Sequence, residues 1–488
     1  MKKKLIALLG LSAILLTLFV ACGSGEESSD PSGTTLNNEA GDTTIADAET
    51  EPDLFSDVPT GSYDGHNFRI LNNESNFALT QMDAIEQNGE PINDAVYARN
   101  RLVEERLGIK ITENMVGYSE VTSTIKTAIA AGEDAYDIFF NESYFVAPLA
   151  LENYLVNVYE LTGLNFDKPW WAGDMIDSLS IGNKLYILAG DIHLMLPEAT
   201  WVMAFNKRIL NDLNLENPYE LVKNGNWTID KLSELIHSSF ADVNGDGAMT
   251  ADADLFGAAL YINPTNFMIS AGTNFVTKDS NNLPVFAGMT ERDFSAYTKV
   301  VEKIYSTGEI AIDGRTKNMG DPWTSVFSRG NSLILVEPIG SLKRLRDMED
   351  EFGIVPFTKY DEQQENYISL TAHYSAVMGI PVTNSNLERT AVILENMASV
   401  SYKDIRPVYF DVVLTGKYSR DNESEDMLDI VFDTRIFDLM SVYRWGNLID
   451  TLNGQAGTFT TDIVSAVDKV ASAVQTAIEK TIEFYSGS

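Results

Sequence analysis

The sequence predicts an α/β fold, in which helices cover a parallel sheet. Residues 66–72 (HNFRILN) are typical of a strand, and the segment after them repeats its apolar residues with helical spacing. The apolar residues on that helical face are Ile92, Val96, Val103 and Leu107. A second strand, a second helix and a third strand follow. This alternation indicates parallel pairing, because parallel strands need a long crossover between them.

The next segments in chain order have the same alternation of strand and helix. Gly108 is a typical end for the first helix, and Ile109 and Ile111 begin the second strand. A helix that carries Ile125 and Ile129 leads into the apolar run 136–140 (YDIFF), which is typical of a buried strand.

Later segments continue the α/β pattern. Gly182 and Asn183 predict a tight turn, and residues 201–210 (WVMAFNKRIL) predict a strand that runs into a helix. Thr228 is a good N-cap for an amphipathic helix, with Asp230 in its first turn. The last 30 residues predict a long amphipathic helix.

The N-terminus has the pattern of an export signal. Three lysines precede an apolar run from Leu5 to Val20, which is shorter than the roughly 20 residues that span a membrane. Cys22, the only cysteine of the chain, follows Ala21. This FVAC stretch resembles the lipobox of bacterial lipoproteins, which implies that residues 1–21 are a signal peptide and that Cys22 is lipidated. The alternative is a free cysteine buried in an uncleaved helix.

Charge and composition restrict the partners. Residues 22–65 contain no Lys or Arg and are rich in Gly, Ser, Thr, Asp and Glu, so we expect a disordered acidic tether. The whole chain has a net charge of −36, which argues against nucleic acid and anionic lipid headgroups as partners. The remaining residues are enough for two domains.

The order of several stretches resembles a known family. These stretches are NGEPINDAVYARNRLVEERLGIKI, YDIFF, KPWW, LSIGNKLYILAGD, MAFNKRILNDLNLENPYELVKNGNWTIDKL, FSRGNSLILVEPIGSL, FGIVPF and MLDIVFDTRIFDL. Behind a lipobox and an acidic tether, they resemble the extracellular solute-binding proteins of ABC importers, in the branch related to maltose-binding protein.

The resemblance implies a two-lobed periplasmic-binding-protein-like fold of type II, with a hinge between lobes that are discontinuous in sequence. Lobe 1 would comprise residues 66–190 and about 335–382, and lobe 2 about 191–334 and 383–488. The chain would cross between lobes near 190–197, near 330–337 and after Pro381. Ligand would bind in the cleft as it closes.

The resemblance also implies partners and a location. We expect a monomer that is lipid-anchored on the outer face of the cell membrane and delivers a solute to the permease subunits of an ABC importer. No catalytic cofactor is expected.

A sugar ligand needs flat aromatic faces for its C–H surfaces and polar side chains for its hydroxyls. Trp201 and Trp323 lie close to predicted crossings, and Trp445 lies where maltose-type binders carry a stacking aromatic. We therefore expect these three to contact ligand, with core packing as the alternative for each. The other tryptophans, Trp170, Trp171 and Trp227, are expected to be packing residues.

Four polar residues are candidates for ligand contact because they lie at a strand end or beside a predicted crossing. Asn141 and Glu142 come directly after a strand, where the binding loops of open α/β sheets lie. Glu198 and Glu337 are further candidates beside the predicted crossings. His193 and His373 are expected to be ordinary, partly buried histidines.

Residues 241–257 (ADVNGDGAMTADADLFG) resemble half of a calcium loop. Asp242, Asn244 and Asp246 alternate before Gly247, at the spacing of oxygen ligands in such loops. Asp252 or Asp254 and the carbonyl of Ala248 would complete a structural Ca²⁺ site, whereas the alternative is a metal-free glycine-rich turn.

Two other functions stay open at this point. An exported carbohydrate-active enzyme could be tethered in the same way, although the chain has no G-x-S-x-G motif and its four histidines lack metal-ligand spacing. A binder of another solute, such as a peptide, is the second alternative. An anion binder would need convergent arginines, which the sequence does not place near the crossings.

Overall fold

Two main β-sheets with helices around them form most of the described part of the chain, and two small two-stranded sheets accompany them. The computed structural model describes residues 56–75, 78–312, 315–319, 323–412 and 422–487. The predicted signal peptide, Cys22 and the tether up to residue 55 lie outside these ranges.

The strands alternate with helices along most of the chain. In chain order the strands are β1 (His66–Glu74), β2 (Ile109–Gly117), β3 (Ile138–Glu142), β4 (Trp201–Asn206), β5 (Phe256–Ala259), β6 (Thr277–Lys278), β7 (Pro284–Val285), β8 (Ile310–Ala311), β9 (Ser332–Pro338), β10 (Phe352–Val355), β11 (Ser369–Leu370), β12 (Ala376–Gly379) and β13 (Arg435–Ile436). The strand predicted at 66–72 and the strand and helix predicted at 201–210 are confirmed, and the strand predicted at 136–140 lies two residues later, as β3.

Helices, several of them short, connect and flank the strands. They are α1 (Pro91–Leu107), α2 (Tyr118–Ala130), α3 (Ser143–Leu151), α4 (Gly173–Leu179), α5 (Met195–Glu198), α6 (Lys207–Asp212), α7 (Pro218–Lys223), α8 (Ile229–Ser239), α9 (Pro264–Ser270), α10 (Glu291–Val300), α11 (Thr324–Ser328), α12 (Leu387–Val400), α13 (Arg406–Asp411), α14 (Asn422–Asp433), α15 (Leu439–Tyr443), α16 (Leu448–Ala456) and α17 (Val464–Ser486). Short 3₁₀ segments span Val158–Glu160, Ile339–Leu345 and Trp445–Asn447, and π-helical segments span Val301–Tyr305 and Ser401–Ile405.

Local chemistry explains where the helices begin and end. Pro91 opens α1, and Gly108 ends it with φ of 63°, a left-handed conformation that glycine adopts without strain. Thr228 caps α8 by accepting a hydrogen bond from the Lys231 amide, as the sequence predicts. The predicted turn has φ of 56° at Gly182 and 58° at Asn183.

The first lobe is built on a four-stranded sheet in the order β12-β3-β1-β2. β1 pairs in parallel with both β2 and β3, which confirms the alternation read from the sequence. β12 returns from far along the chain and pairs antiparallel with β3. This edge strand is the one departure from a fully parallel sheet in the first lobe.

The second lobe is built on a five-stranded mixed sheet in the order β10-β4-β9-β5-β8. β4 runs antiparallel to both of its neighbours, whereas β5 is parallel to β8 and β9. A large buried apolar core lies beside this sheet and extends to residues of α16 and α17.

The strand pairing differs from the expected lobe boundaries. Residues from about 335 were expected to return to lobe 1, but β9 and β10 pair with β4 of the second sheet. Likewise α12, expected in lobe 2, packs into the core of the first sheet. Apolar strand patterns show burial but not the partner, so the resemblance alone placed these boundaries, and it misplaced them.

Two chain passages connect the lobes side by side. The Ala372 amide donates to the Ala199 carbonyl at 3.0 Å, and Thr200 forms a bridge with Thr371. The first passage lies next to the predicted crossing at 190–197. The second precedes β12, where no crossing was expected. The crossing expected near 330–337 is wrong, because that stretch forms β9 and the chain continues into β10 of the same sheet.

The tryptophan doublet of KPWW is a packing feature. The indole nitrogens of Trp170 and Trp171 donate to the two oxygens of Glu395 at 2.9 and 2.8 Å, and all three residues are buried. Trp227 is also buried and donates to the Pro356 carbonyl at 2.8 Å. The predicted packing role of these tryptophans is confirmed.

Candidate functional site

The site lies at one edge of the second sheet, where strands of opposite direction meet. Trp201 at the start of β4 pairs with Pro338 at the end of β9, and β5 ends at the same edge because it is parallel to β9. Loops that follow strand ends at such an edge are free to line a cleft.

A cavity of about 810 Å³ opens at this edge. Its lining combines aromatic, carboxylate, amide and guanidinium groups, a composition typical of small-molecule sites. The lining residues are Trp201, Tyr261, Ile262, Asn263, Ile312, Trp323, Glu337, Pro338, Ser341, Arg344, His373, Tyr374, Asp450, Asn453, Gly454 and Gly457.

Two aromatic groups form the walls. Trp201 lies deep, only 8% exposed, and meets Tyr374 edge-on with ring centroids 6.4 Å apart. Tyr261 is 55% exposed and stacks on Trp323 at 5.6 Å between centroids. The indole Nε1 of Trp323 is buried and has no hydrogen-bond partner within the described residues. The wall therefore offers a deep aromatic face and an outer one.

Glu337 is the buried carboxylate of the wall. It is 3% exposed, and the Thr324 hydroxyl donates to its Oε1 at 3.0 Å. Burial raises the pKa of Glu337 to about 7, while hydrogen bonds and the charge of Arg344 oppose that rise. Near neutral pH the carboxyl is therefore partly protonated, and in that form it is able to donate a hydrogen bond as well as accept one.

Two further polar side chains of the cavity wall are hydrogen-bonded to the protein. Asp450 accepts a hydrogen bond from Arg444 at 2.5 Å, and the side-chain oxygen of Asn453 accepts one from the Thr265 hydroxyl at 3.1 Å. These partners fix the two side chains before any ligand arrives.

His373 and Tyr374 bring the second chain passage into the wall. Burial lowers the pKa of His373 to about 4, so its ring is neutral at neutral pH. Burial and the nearby charges of Glu337 and Glu142 raise the pKa of Tyr374. Sequence reasoning missed Tyr261 and Tyr374 and expected an ordinary His373. The available signal for Tyr261 was its position after the end of β5, whereas Tyr374 and His373 follow a passage that the sequence did not predict.

Three predicted site residues meet at this cavity: Trp201, Trp323 and Glu337. Asn141 and Glu142 end β3 in the first lobe instead. The buried Asn141 amide donates to the Tyr118 carbonyl at 3.0 Å, so it holds the first turn of α2.

Glu198 and Trp445 lie away from the cavity wall. Glu198 is fully buried on α5, where its Oε2 accepts from the Leu79 amide at 2.8 Å. Burial raises its pKa to about 7. Trp445 is 3% exposed and packs against α17. His193 is a buried residue that contacts Phe140 at 4.6 Å between ring centroids.

The predicted calcium loop is an exposed turn held by its own side chains. Asp242 accepts hydrogen bonds from the amides of Gly245 and Gly247 at 2.7 and 2.8 Å, and the Asn244 amide donates to Asp246 at 3.1 Å. The loop therefore brings Asp242, Asn244 and Asp246 together.

The last predicted ligands point to other partners. Asp252 accepts from the Asn318 amide at 3.0 Å, and the buried Asp254 accepts from the amides of Val243 and Thr250 at 3.0 and 2.8 Å. Across the described ranges, no three His, Cys, Asp or Glu side chains are grouped to hold a metal ion. Calcium stays a prediction, because its proposed ligands here also include Asn244 and a carbonyl.

Comparison with known proteins agrees with this architecture of two sheets and a cleft. The model of the bacterial extracellular solute-binding protein family matches residues 85–399, more than half of the chain. The chain therefore belongs to that family, whose members bind solutes outside the cytoplasm. Among curated proteins the chain has no match.

Solved structures with this fold are similar over most of the chain. The maltose/maltodextrin-binding domain MalE from Bdellovibrio bacteriovorus, bound to maltotriose, has 14% identity and a TM-score of 0.52, covering 86% of this chain and 100% of that one. An ABC substrate-binding protein from Listeria monocytogenes in complex with cycloalternan has 11% identity and a TM-score of 0.53, covering 87% and 100%. A sugar transporter from Rhizobium etli in an open conformation has 14% identity and a TM-score of 0.58, covering 84% and 99%. The two-lobed fold is thereby confirmed.

No described helix has both the length and the apolar content that a membrane span requires.

Proposed function

We propose that this chain binds a carbohydrate in the cavity at the edge of the second sheet and delivers it to an ABC importer. The observation that carries the proposal is the wall itself, in which Trp201 and the Tyr261–Trp323 stack lie beside Glu337 and Asn453. Aromatic faces suit the C–H surfaces of a sugar ring, and fixed carboxylates and amides suit its hydroxyls. The sugar complexes among the similar structures support the same ligand class.

Charge at the wall favours a neutral ligand over an anion. Asp450 is paired with Arg444, and Arg344 is the one arginine among the residues that line the cavity. A phosphorylated solute would need several convergent donors of positive charge. A peptide remains the alternative neutral solute.

Binding without cleavage is the expected chemistry. The family consists of binding proteins, and the carboxylates of the wall, Glu337 and Asp450, are each engaged by protein hydrogen bonds. The test is a thermal-shift screen of neutral glycans, followed by chromatography of the bound sugar. Stabilisation by a glycan that is recovered uncut is the expected result. Cleavage of the glycan would make the chain an enzyme, and stabilisation by peptides alone would overturn the sugar assignment.

Anchoring through lipid at Cys22 is part of the proposal. The support is the FVAC stretch after a short apolar run. Several acyl chains hold a protein at a membrane far more firmly than one. We expect Cys22→Ser to move the protein from the membrane fraction to soluble or unprocessed forms. Unchanged fractionation of that variant, with no lipid on the mature N-terminus, would contradict anchoring.

A further inference from the structure

A row of aromatic side chains leads out of the cavity across the first lobe. The ring of His373 in the cavity wall meets Tyr144 edge-on at 5.3 Å between centroids. Tyr144 contacts Phe145 at 4.3 Å, and Phe145 contacts Tyr118 at 5.8 Å. We call Tyr144, Phe145 and Tyr118 the first-lobe row. It continues the aromatic lining beyond the cavity, onto helices α2 and α3 of the first lobe.

The outer end of this row is exposed but held in place. Tyr118 is the first residue of α2 and is 48% exposed. The Asn141 amide, which is buried, binds its carbonyl and also donates to Thr122 Oγ1 at 3.3 Å. The Arg444 guanidinium lies over the Tyr144 ring at 5.5 Å. An aromatic side chain on a fixed backbone loses little freedom when a ligand stacks on it.

The opposite end of the lining is also an exposed tyrosine. Tyr261 follows β5, and Trp201 starts β4, with β9 between these two strands. Two strand spacings separate these positions by about 10 Å, which is longer than one pyranose ring. The aromatic lining therefore has a deep centre at Trp201 and exposed ends at Tyr118 and Tyr261.

We propose that the site takes a linear oligosaccharide rather than a single sugar, with Tyr118 and Tyr261 as stacking platforms for its two ends. This inference rests on the proposed carbohydrate function and names the size of the ligand and two residues that select for it. Closure of the cleft would bring the first-lobe row against the chain that Trp201 holds at its centre. A monosaccharide at Trp201 would reach neither end.

Calorimetric titration with linear gluco-, xylo-, manno- and galacto-oligosaccharides of one to six units tests this inference. One aromatic contact corresponds to about a three- to tenfold change in affinity. We expect Tyr118→Ala and Tyr261→Ala each to weaken binding of the longest sugars by that factor. Binding of the mono- and disaccharides by Tyr118→Ala should stay unchanged, because Tyr118 lies outside the cavity, and Tyr118→Phe should bind like the wild type.

Tyr159→Ala is the matched control, because Tyr159 is a first-lobe tyrosine with 38% exposure that contacts Phe166 outside the row. It should bind every length like the wild type. Equal losses at all lengths in Tyr118→Ala, or no loss at any length in either variant, would overturn the inference while sugar binding itself stands. A wild-type protein that binds a monosaccharide as tightly as the hexasaccharide would overturn it too. Failure of every glycan to bind is a different outcome, since it removes the proposed function and this inference together.

Discussion

Trp201 and Trp445 look alike by burial but differ in what covers them. They are 8% and 3% exposed, and the sequence suggested a ligand platform for both. Trp201 lines the cavity, with edge-on aromatic neighbours. Trp445 instead stacks on Tyr443 at 4.9 Å between centroids and donates through Nε1 to the Thr481 hydroxyl at 3.0 Å. A nearly buried tryptophan is thus available to a ligand only where the protein leaves a face uncovered.

The backbone around Trp445 explains its complete coverage. Arg444, Gly446 and Asn447 all adopt positive φ, which folds the chain tightly against α17. A Cβ at Gly446 would lie 2.5 Å from the Val474 amide nitrogen, so only glycine fits there. This geometry presses the indole into the helix rather than toward the cleft.

The largest expected effect is the loss of stability in Trp445→Ala. Removing a fully packed indole should lower the free energy of unfolding by about 3–5 kcal/mol. Sugar affinity should change by less than about twofold, within the scatter of unrelated surface changes. Denaturant unfolding and calorimetric titration of the same variant measure both. A large loss of affinity with unchanged stability would restore the ligand role that the sequence suggested.

Trp201→Ala is expected to show the opposite pattern, with a large loss of sugar affinity and a smaller loss of stability. Loss of the deep aromatic face should weaken the bound sugar by about 2 kcal/mol, or roughly thirtyfold. Its loss of stability should be smaller than that of Trp445→Ala, because one face of the ring already borders the cavity. Equal affinity of wild type and Trp201→Ala for the ligand would show that the cavity wall is not the binding surface.

The contrast between these two tryptophans also shows which parts of the fold and of the site can be predicted from the sequence. Apolar periodicity predicted the elements correctly, including the strand that starts at Trp201 and the cap at Thr228, because burial dictates local spacing. It did not predict that β9 and β10 join β4, because strand pairing depends on contacts between distant residues. For the same reason the sequence found Trp201, Trp323 and Glu337 but missed Tyr261 and Tyr374. These two tyrosines reach the wall only through the register of the second sheet and the second chain passage.

Two buried glutamates, one in the cavity wall and one outside it, allow a similar comparison of how stability depends on pH. Burial raises the pKa of both Glu337 and Glu198 from 4.5 to about 7, yet only Glu337 lines the cavity. Between these values the folded chain retains protons that the unfolded chain has lost, so stability falls as pH rises from about 4.5 through 7. Glu337→Gln and Glu198→Gln should each remove up to about 3 kcal/mol of that dependence.

Ligand affinity separates the two glutamates. Only Glu337→Gln should change the pH profile of sugar binding, since Glu337 lines the cavity and Glu198 does not. The measurement is calorimetric titration of both variants between pH 5 and 8. A changed binding profile in Glu198→Gln as well would mean that the two groups act through the hinge rather than through contact.

The smallest expected effect concerns the loop at Asp242. We expect this loop to stabilise the fold, whereas the cavity binds the ligand. The carboxylates there already accept backbone amides, and Asp252 and Asp254 are engaged with Asn318 and with Val243 and Thr250. Calcium would then have few strong ligands, so we expect a dissociation constant of about 10⁻⁴ to 10⁻³ M.

At about tenfold excess over that constant, calcium would stabilise the fold by roughly 1.4 kcal/mol, so chelation should lower the melting temperature by only a few degrees. Asp246→Asn should abolish this shift, whereas Asp252→Asn should leave most of it, because Asp252 faces Asn318. Sugar affinity should not depend on calcium, since none of the loop residues lines the cavity. Melting that is independent of calcium at several millimolar would leave a plain glycine-rich turn. Loss of sugar binding on chelation would instead make the metal functional and link the loop to the cleft.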